Sequence, residues 1–357
     1  FDADWGNSDS WSPVTYDYVS LNYRTRDTIR QEVRAGTDDW LLGVYAMQLR
    51  EGVATVNLGD YYDPFYDFAD SLNESLDSDY EATNLALFGQ RDWSLGESTT
   101  LLAGLRLEHR STDYLDSTGM SASLSEPMWG GEISISRMLG NGQNLYATLS
   151  RSYKAGGFNL GPVPAGKRNL DTENMWTVEV GMKTDLMAQR LQLVTSIFHS
   201  RRINQQLRTS TQLIPGDPAS FVFFTDNAGD GTTVGLEVDV RYFASDRWEL
   251  YSSIGLLEAH APAYTFAGGL VYRHERGLFA RLDVTAKDEF YFDVSHDQKS
   301  GAYELLNARI GFENEDWKVS FWVKNLLDKK YPVRGFYFGN EPPDFPNTLY
   351  VRPGDPR

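Results

Sequence analysis

Cysteine is missing from all 357 residues, so neither a disulfide framework nor a thiolate metal site is available to the chain. That absence suits a chain crossing an oxidising compartment. Long apolar runs are missing too. No stretch approaches the roughly 20 residues a transmembrane helix needs, which excludes a helical span. A membrane-spanning β-barrel stays open, because its strands alternate polar and apolar residues and average out polar. Positive charge is scarce, with 33 Lys and Arg against 50 Asp and Glu and a net charge of −17. Without a basic stripe to meet a phosphate backbone, the charge argues against a nucleic-acid partner.

Catalytic signatures are equally thin: there is no G-x-S-x-G, no P-loop and no H-E-x-x-H. The five histidines, His109, His199, His260, His274 and His296, are scattered over strand ends and loops without metal-ligand spacing. No catalytic residue, metal site or cofactor is therefore expected, and the chain does not read as an enzyme. It opens on Phe1 in mid-pattern with no initiator methionine or signal peptide, so it reads as a mature or partial chain.

What the sequence does have is aromatic residues and a two-residue period. Aromatics make up 13%, including 20 Tyr and 9 Trp, and 31 Gly supply turns. From Tyr303 to Tyr331, Leu306, Ala308, Ile310 and Phe312 alternate with Leu305, Asn307, Arg309 and Gly311. After a turn at Glu313 to Asp316, Trp317, Val319, Phe321 and Val323 alternate with Lys318, Ser320, Trp322 and Lys324. This is a hairpin with one apolar face and one polar face. The pattern recurs along the chain from Ile29 onward, with turns expected near Leu95 to Glu97, Gly140 to Gly142, Met187 and Ala244 to Arg247. Longer polar loops are expected over Glu51 to Asp79, up to about Ser125, over Lys154 to Asn174 and over Arg201 to Asp230.

A single hairpin of this kind fits a soluble sandwich as well as a membrane wall. The joint pattern decides between them. Strands of about ten residues carry charges on the polar face, and tight turns alternate with long loops, as in a barrel that crosses a bilayer. The fold expected is all-β: an antiparallel transmembrane β-barrel, partial, with about fourteen strands of a larger up-and-down barrel. Solenoids and propellers would need a fixed repeat, which is absent.

In such a barrel Arg106, Glu108, Glu179, Lys183, Glu237, Asp239, Arg241, Arg281, Asp283 and Arg309 face the lumen. The candidate ligand-binding surface is the stretch carrying Tyr61, Tyr62, Asp63, Phe65, Tyr66 and Asp67, expected in an external loop. Aromatic rings among carboxylates can stack on a flat or sugar-like ligand while the acids meet cationic groups. The plainer reading is a solvated acidic loop that binds cations loosely.

Several blocks resemble the C-terminal barrel of the TonB-dependent outer-membrane receptors. They are SRSYKAGGFN at Ser150 to Asn159, the run from Leu170 through Lys183, DNAGDGTTVGLEVDV at Asp226 to Val240, VKNLLDKKY at Val323 to Tyr331 and RPGDPR at Arg352 to Arg357. The resemblance implies one barrel unit over residues 1–357, with short periplasmic turns and long extracellular loops. It also implies a barrel of about 22 strands when complete, more than this chain supplies. Neither the family's plug domain nor its last strand is seen. In the family, glycines such as Gly156, Gly157 and Gly235 sit where loop meets strand. The expected function is active uptake of a bulky ligand such as a ferric siderophore, haem, cobalamin or oligosaccharide; a passive porin-like channel is the alternative. Expected partners are outer-membrane lipid and lipopolysaccharide, a TonB-type energy-transducing protein acting through a plug, and a small-molecule ligand. The expected location is the bacterial outer membrane.

Overall fold

The computed structural model describes residues 2–11, 14–64, 67–140, 142–160, 163–213, 221–227, 229–258, 261–292, 297–339 and 347–355. Strands β1 (Asp2–Trp11), β2 (Val14–Gly36), β3 (Trp40–Asp63), β4 (Phe68–Ser94), β5 (Thr99–Asp116), β6 (Ser121–Leu139) and β7 (Gln143–Lys154) open the chain. A short pair follows, β8 (Gly157–Phe158) and β9 (Asn169–Leu170), then β10 (Glu173–Leu186) and β11 (Leu191–Ile203). After a second pair, β12 (Gln206–Gln212) and β13 (Phe221–Asn227), come β14 (Gly231–Ser245), β15 (Trp248–Glu258), β16 (Tyr264–Arg273) and β17 (Leu278–Lys287). The chain ends with β18 (Phe290–Tyr291), β19 (Lys299–Ser300), β20 (Tyr303–Glu313), β21 (Lys318–Val323), β22 (Pro332–Gly339) and β23 (Asn347–Pro353).

One 15-stranded sheet runs in the order β1 to β7, β10, β11, β14 to β17, β20, β21, and the other strands form separate two-stranded ribbons. Every pairing in the sheet is antiparallel. Among the described residues β1 and β21 do not pair, so the sheet is open. The expected fold class is borne out, with fifteen strands in place of about fourteen.

The register shows why these residues form one wall. Val33, Val44, Leu87, Leu107 and Trp129 are directly opposite one another from β2 to β6. Ile133, Leu149 and Val178 continue the apolar row, and Val180, Ile197, Leu236 and Leu256 carry it further. Leu250, Leu270, Leu282, Ala308 and Val323 complete it at β21. This face is not covered by protein: Val33 is 65% and Phe321 75% exposed. Aromatic residues bound it at both ends. Trp40, Trp93 and the Trp248–Tyr272 pair (ring centroids 4.7 Å apart) lie at one edge, and Trp129, Trp176 and Tyr264 lie toward the other. Trp248 and Leu256, on the outward face of one strand, are separated by about 26 Å of extended chain, close to the height of the apolar band of a membrane barrel. The packed interior lies on the opposite face, where Ala82, Ala86, Tyr114 and Met128 are buried.

The connections at one edge are short throughout: 37–39, 95–98, 140–142, 187–190, 246–247, 274–277 and 314–317. The other edge departs from expectation. The acidic stretch Glu51 to Asp79 is not a loop but the upper part of the β3–β4 hairpin, paired continuously from Trp40↔Arg91 to Asp63↔Phe68. The loop expected up to Ser125 shrinks to 117–120, because β5 and β6 pair as far as Leu115↔Ser121. Beyond the apolar belt a strand is wet on both faces, so acids there cost little and mask the extended backbone. Long connections remain at 155–172, 204–230 and 288–302, and each contains a ribbon.

Candidate functional site

The face opposite the apolar row carries the chemistry. Register places all ten predicted lumen residues on it, each adjacent in its strand to a residue of the outward row, as Arg106 is to Leu105 and Leu107. The wall is polar but mostly paired. Glu108 accepts hydrogen bonds from Asn84 Nδ2 (2.6 Å), Tyr153 Oη (2.8 Å) and Arg106 Nε (2.8 Å). Glu249 holds Arg241 and Arg273, each at 2.8 Å. Asp283 is held by Arg281 at 2.8 Å and by the Tyr251 hydroxyl. Tyr146 donates to Glu179 at 2.7 Å, and Arg309 donates to Ser320 at 2.9 Å. Glu237 and Asp239 lie between these groups without an ion pair among the described residues. Charges on a partly enclosed face are retained when paired in this way, since an unpaired one costs several kcal/mol, on the order of 3–5 when its partner is removed.

A second pattern underlies these pairs. Phe88 faces Gly43, Tyr146 faces Gly181, Phe198 faces Gly235, Tyr251 faces Gly269 and Phe279 faces Gly311, each as direct cross-strand partners. In every case the ring lies where a Cβ on the glycine would be. Cations then cover several of the rings: Arg106 is 5.7 Å from Phe88, Lys183 5.6 Å from Tyr146, Arg281 5.2 Å from Tyr251 and Arg309 5.5 Å from Phe279. Four of the predicted lumen cations are thereby pinned against the wall instead of reaching into the interior. Sequence reasoning missed Asn84, Tyr146, Tyr153, Tyr251, Glu249 and Arg273; the signal that could have found the tyrosines was a glycine at an inward position of the next strand.

Toward the rim, the block Ser150 to Asn159 leads inward. Phe158 packs against Tyr80 (6.2 Å) and Tyr114 (5.8 Å) on the inward face. Asn159, buried, donates to the carbonyls of Lys167 (2.7 Å) and Thr225 (2.8 Å) and accepts from the Thr225 amide (2.8 Å). Lys167 pairs with Asp226 at 2.7 Å, and Gln206 Nε2 donates to the carbonyls of Ala155 and Asp171. The connections 155–172 and 204–230 are thus tied into a strap. Gly156 and Gly157 do sit where loop meets strand, at the start of β8; neither has positive φ, and Gly156 is required because a Cβ there would meet the Leu170 carbonyl. Gly235 lies inside β14 under Phe198 rather than at a loop boundary.

Between the strap and the wall lies a cavity of about 520 Å³, lined by Arg24, Glu51, Tyr80, Thr112, Tyr114 and Phe158 among others. The hydroxyl of Thr112, a buried residue, has no partner among the described residues. Of the predicted ligand-binding residues, Tyr61, Tyr62 and Asp63 end β3 and Asp67 occupies the hairpin tip with φ 44°. Tyr62 and Asp67 are exposed. Phe65 and Tyr66 lie outside the described residues.

A two-faced antiparallel wall with aromatic edges and a strap folded over its polar side is the geometry of a large barrel. Residues 1–326 match the family model described as TonB dependent receptor-like, beta-barrel. The chain belongs to that family. It is therefore part of the barrel wall of a TonB-dependent receptor, located in the bacterial outer membrane. A pesticin receptor of Yersinia pestis is 23% identical over 342 residues, 87% of this chain and 48% of the receptor. The ferric yersiniabactin uptake receptor FyuA of Yersinia pestis superposes with a TM-score of 0.69 at 18% identity, covering 97% of this chain and 55% of FyuA. The siderophore receptor PiuA of Acinetobacter baumannii gives 0.68 at 14% identity, covering 99% and 58%. The chain spans about half the length of the curated relatives it matches. These relatives are receptors and uptake proteins rather than enzymes.

Proposed function

We propose that the full polypeptide is an active outer-membrane transporter that takes up a bulky, scarce ligand, with a ferric siderophore or similar metal chelate as the first class to test. Membership of the receptor-like barrel family carries this reading. The relatives named for pesticin, ferric yersiniabactin and siderophores support the ligand class. On this reading the short-turn edge faces the periplasm and the β3–β4 hairpin rises outside the cell. Ligand would meet the candidate stretch carrying Tyr61, Tyr62, Asp63, Phe65, Tyr66 and Asp67, and then the cavity beside Tyr80, Thr112 and Phe158. A TonB-type protein would supply energy from the periplasmic side, and outer-membrane lipid and lipopolysaccharide would surround the wall.

The family does not favour the passive-channel alternative, and one experiment separates the two. Cells expressing the full-length protein are given radiolabelled ferric siderophores with and without a proton uncoupler. Saturable uptake of a chelate that stops on uncoupling is expected; uptake that continues undiminished would support a channel and overturn the transporter reading.

A further inference from the structure

At the upper boundary of the apolar belt, Arg151 is an outward cation with no ion pair among the described residues. Arg151 sits on β7 directly between Gly131 of β6 and Trp176 of β10, at the upper boundary of the apolar belt. Its neighbours one step into the belt are Ile133, Leu149 and Val178. The guanidinium carbon lies 4.0 Å from the Trp129 ring and 6.0 Å from that of Trp176, and the two indoles meet edge to face at 5.8 Å. Its polar contacts are the Trp129 carbonyl and the Asn174 side-chain oxygen, both neutral. Among the described residues no carboxylate reaches it within ion-pair distance.

The other outward arginines near this level differ. Arg201, opposite Trp176 on its other side, is paired with Asp230 at 2.8 Å. Arg50 is paired with its cross-strand partner Glu81 at 3.2 Å. A guanidinium at the edge of hydrocarbon without a counter-ion is costly, and it needs an anion from the medium that surrounds it. At this depth that medium is the headgroup layer, where indoles settle and where phosphates are the abundant anions. A planar guanidinium whose remaining N–H groups are unoccupied matches a phosphate's paired oxygens.

We propose that Arg151, cradled by Trp129 and Trp176, binds the phosphate of a membrane-lipid headgroup in the leaflet at the loop edge. This rests on the outer-membrane reading, because only a lipid-facing surface places a headgroup there. The test uses the full polypeptide in phosphatidylcholine nanodiscs containing a small fraction of lipid A or of phosphatidylglycerol, with bound lipid counted by native mass spectrometry. The parent should retain one of the phosphorylated lipids selectively. Arg151→Gln should weaken that retention about tenfold, while Arg50→Gln, whose loss leaves this cradle intact, should not change it. Arg151→Lys keeps the charge but loses the fork, and should bind several-fold more weakly than the parent. It also keeps the test decisive should the Gln variant fail to fold.

Equal retention by R151Q and the parent would overturn the inference, as would an equal loss in R50Q, which leaves Arg151 in place. Retention of inorganic phosphate in lipid-free micelles as tight as that of either lipid would also overturn it, since the site would then serve free anions. A parent protein that does not enter the disc contradicts the outer-membrane reading as well; an inserted protein indifferent to Arg151 contradicts this inference alone.

Discussion

Tyr146 of β7 and Gly181 of β10 are direct cross-strand partners, and the tip of the tyrosine ring lies 2.5 Å from where a Cβ on Gly181 would stand. The same ring donates to Glu179 and lies under Lys183, so one glycine sets the position of an acid and a base on the polar face. Gly181→Ala should force the ring off the wall and destabilise the barrel by about 1–3 kcal/mol, the usual cost of overpacking. Tyr146→Leu in the same chain should recover part of that loss, read from urea midpoints in detergent. An alanine with no effect would mean that the ring does not rest on the glycine.

Glu108 is the most densely served acid of the wall, with three donors and a side chain only 10% exposed. Glu108→Ala leaves Arg106 and Asn84 without their partner, and the expected loss is about 2–4 kcal/mol. Glu97→Ala, in an exposed turn, should stay within about 0.5 kcal/mol. Thermal unfolding of the two variants side by side checks the contrast.

Acid should loosen the β5–β6 turn. The Asp116 carboxyl accepts from the Thr118 hydroxyl (2.6 Å) and amide (2.9 Å), from the Met120 amide (3.1 Å) and from Tyr114 (3.0 Å). The hydrogen bond from Thr118, with those from Tyr114 and the two amides, holds it below its ordinary 3.8. A depressed folded value means that the contribution is present above 3.8 and is lost as pH falls through the folded value. Amide exchange at Thr118 and Met120 should accelerate in that acid window in the parent, and Asp116→Asn should show fast exchange at neutral pH as well.

The β10–β11 turn carries a different cost. Met187, Ala188 and Gln189 have φ values of 54°, 54° and 69°, a left-handed run without a glycine. Ala188→Gly should stabilise the hairpin by about 0.5–1 kcal/mol, because glycine adopts this conformation without the Cβ penalty. A neutral or negative change in the urea midpoint would argue against the turn conformation.

The two-residue alternation was enough to put the predicted residues from Arg106 to Arg309 on the face opposite the apolar row, and to place the short turns, because a strand's faces are fixed by period alone. It was also enough, with the quoted blocks, to reach the receptor family. The height of β3 and β4 was not legible. Asp60, Asp63, Asp67, Asp70 and Glu74 make the segment look like a loop, yet exposed acids such as Asp60, Asp67, Asp70 and Glu74 place no demand on the backbone. The ring-on-glycine pairs and the Glu249 cluster were hidden for another reason. They depend on which residue stands opposite which, and register follows from pairing across strands rather than from spacing along one.

If the wall spans a bilayer, the row through Val180 touches hydrocarbon while the row through Glu179 faces enclosed water. The absence of cysteine makes the test direct: Val180→Cys and Glu179→Cys are introduced separately into the full polypeptide, spin-labelled and reconstituted in liposomes. The label at 180 should be relaxed by membrane-dissolved oxygen and shielded from a water-soluble nickel chelate, and the label at 179 should be less responsive to oxygen. Equal oxygen response at the two positions, or the reverse order, would contradict it.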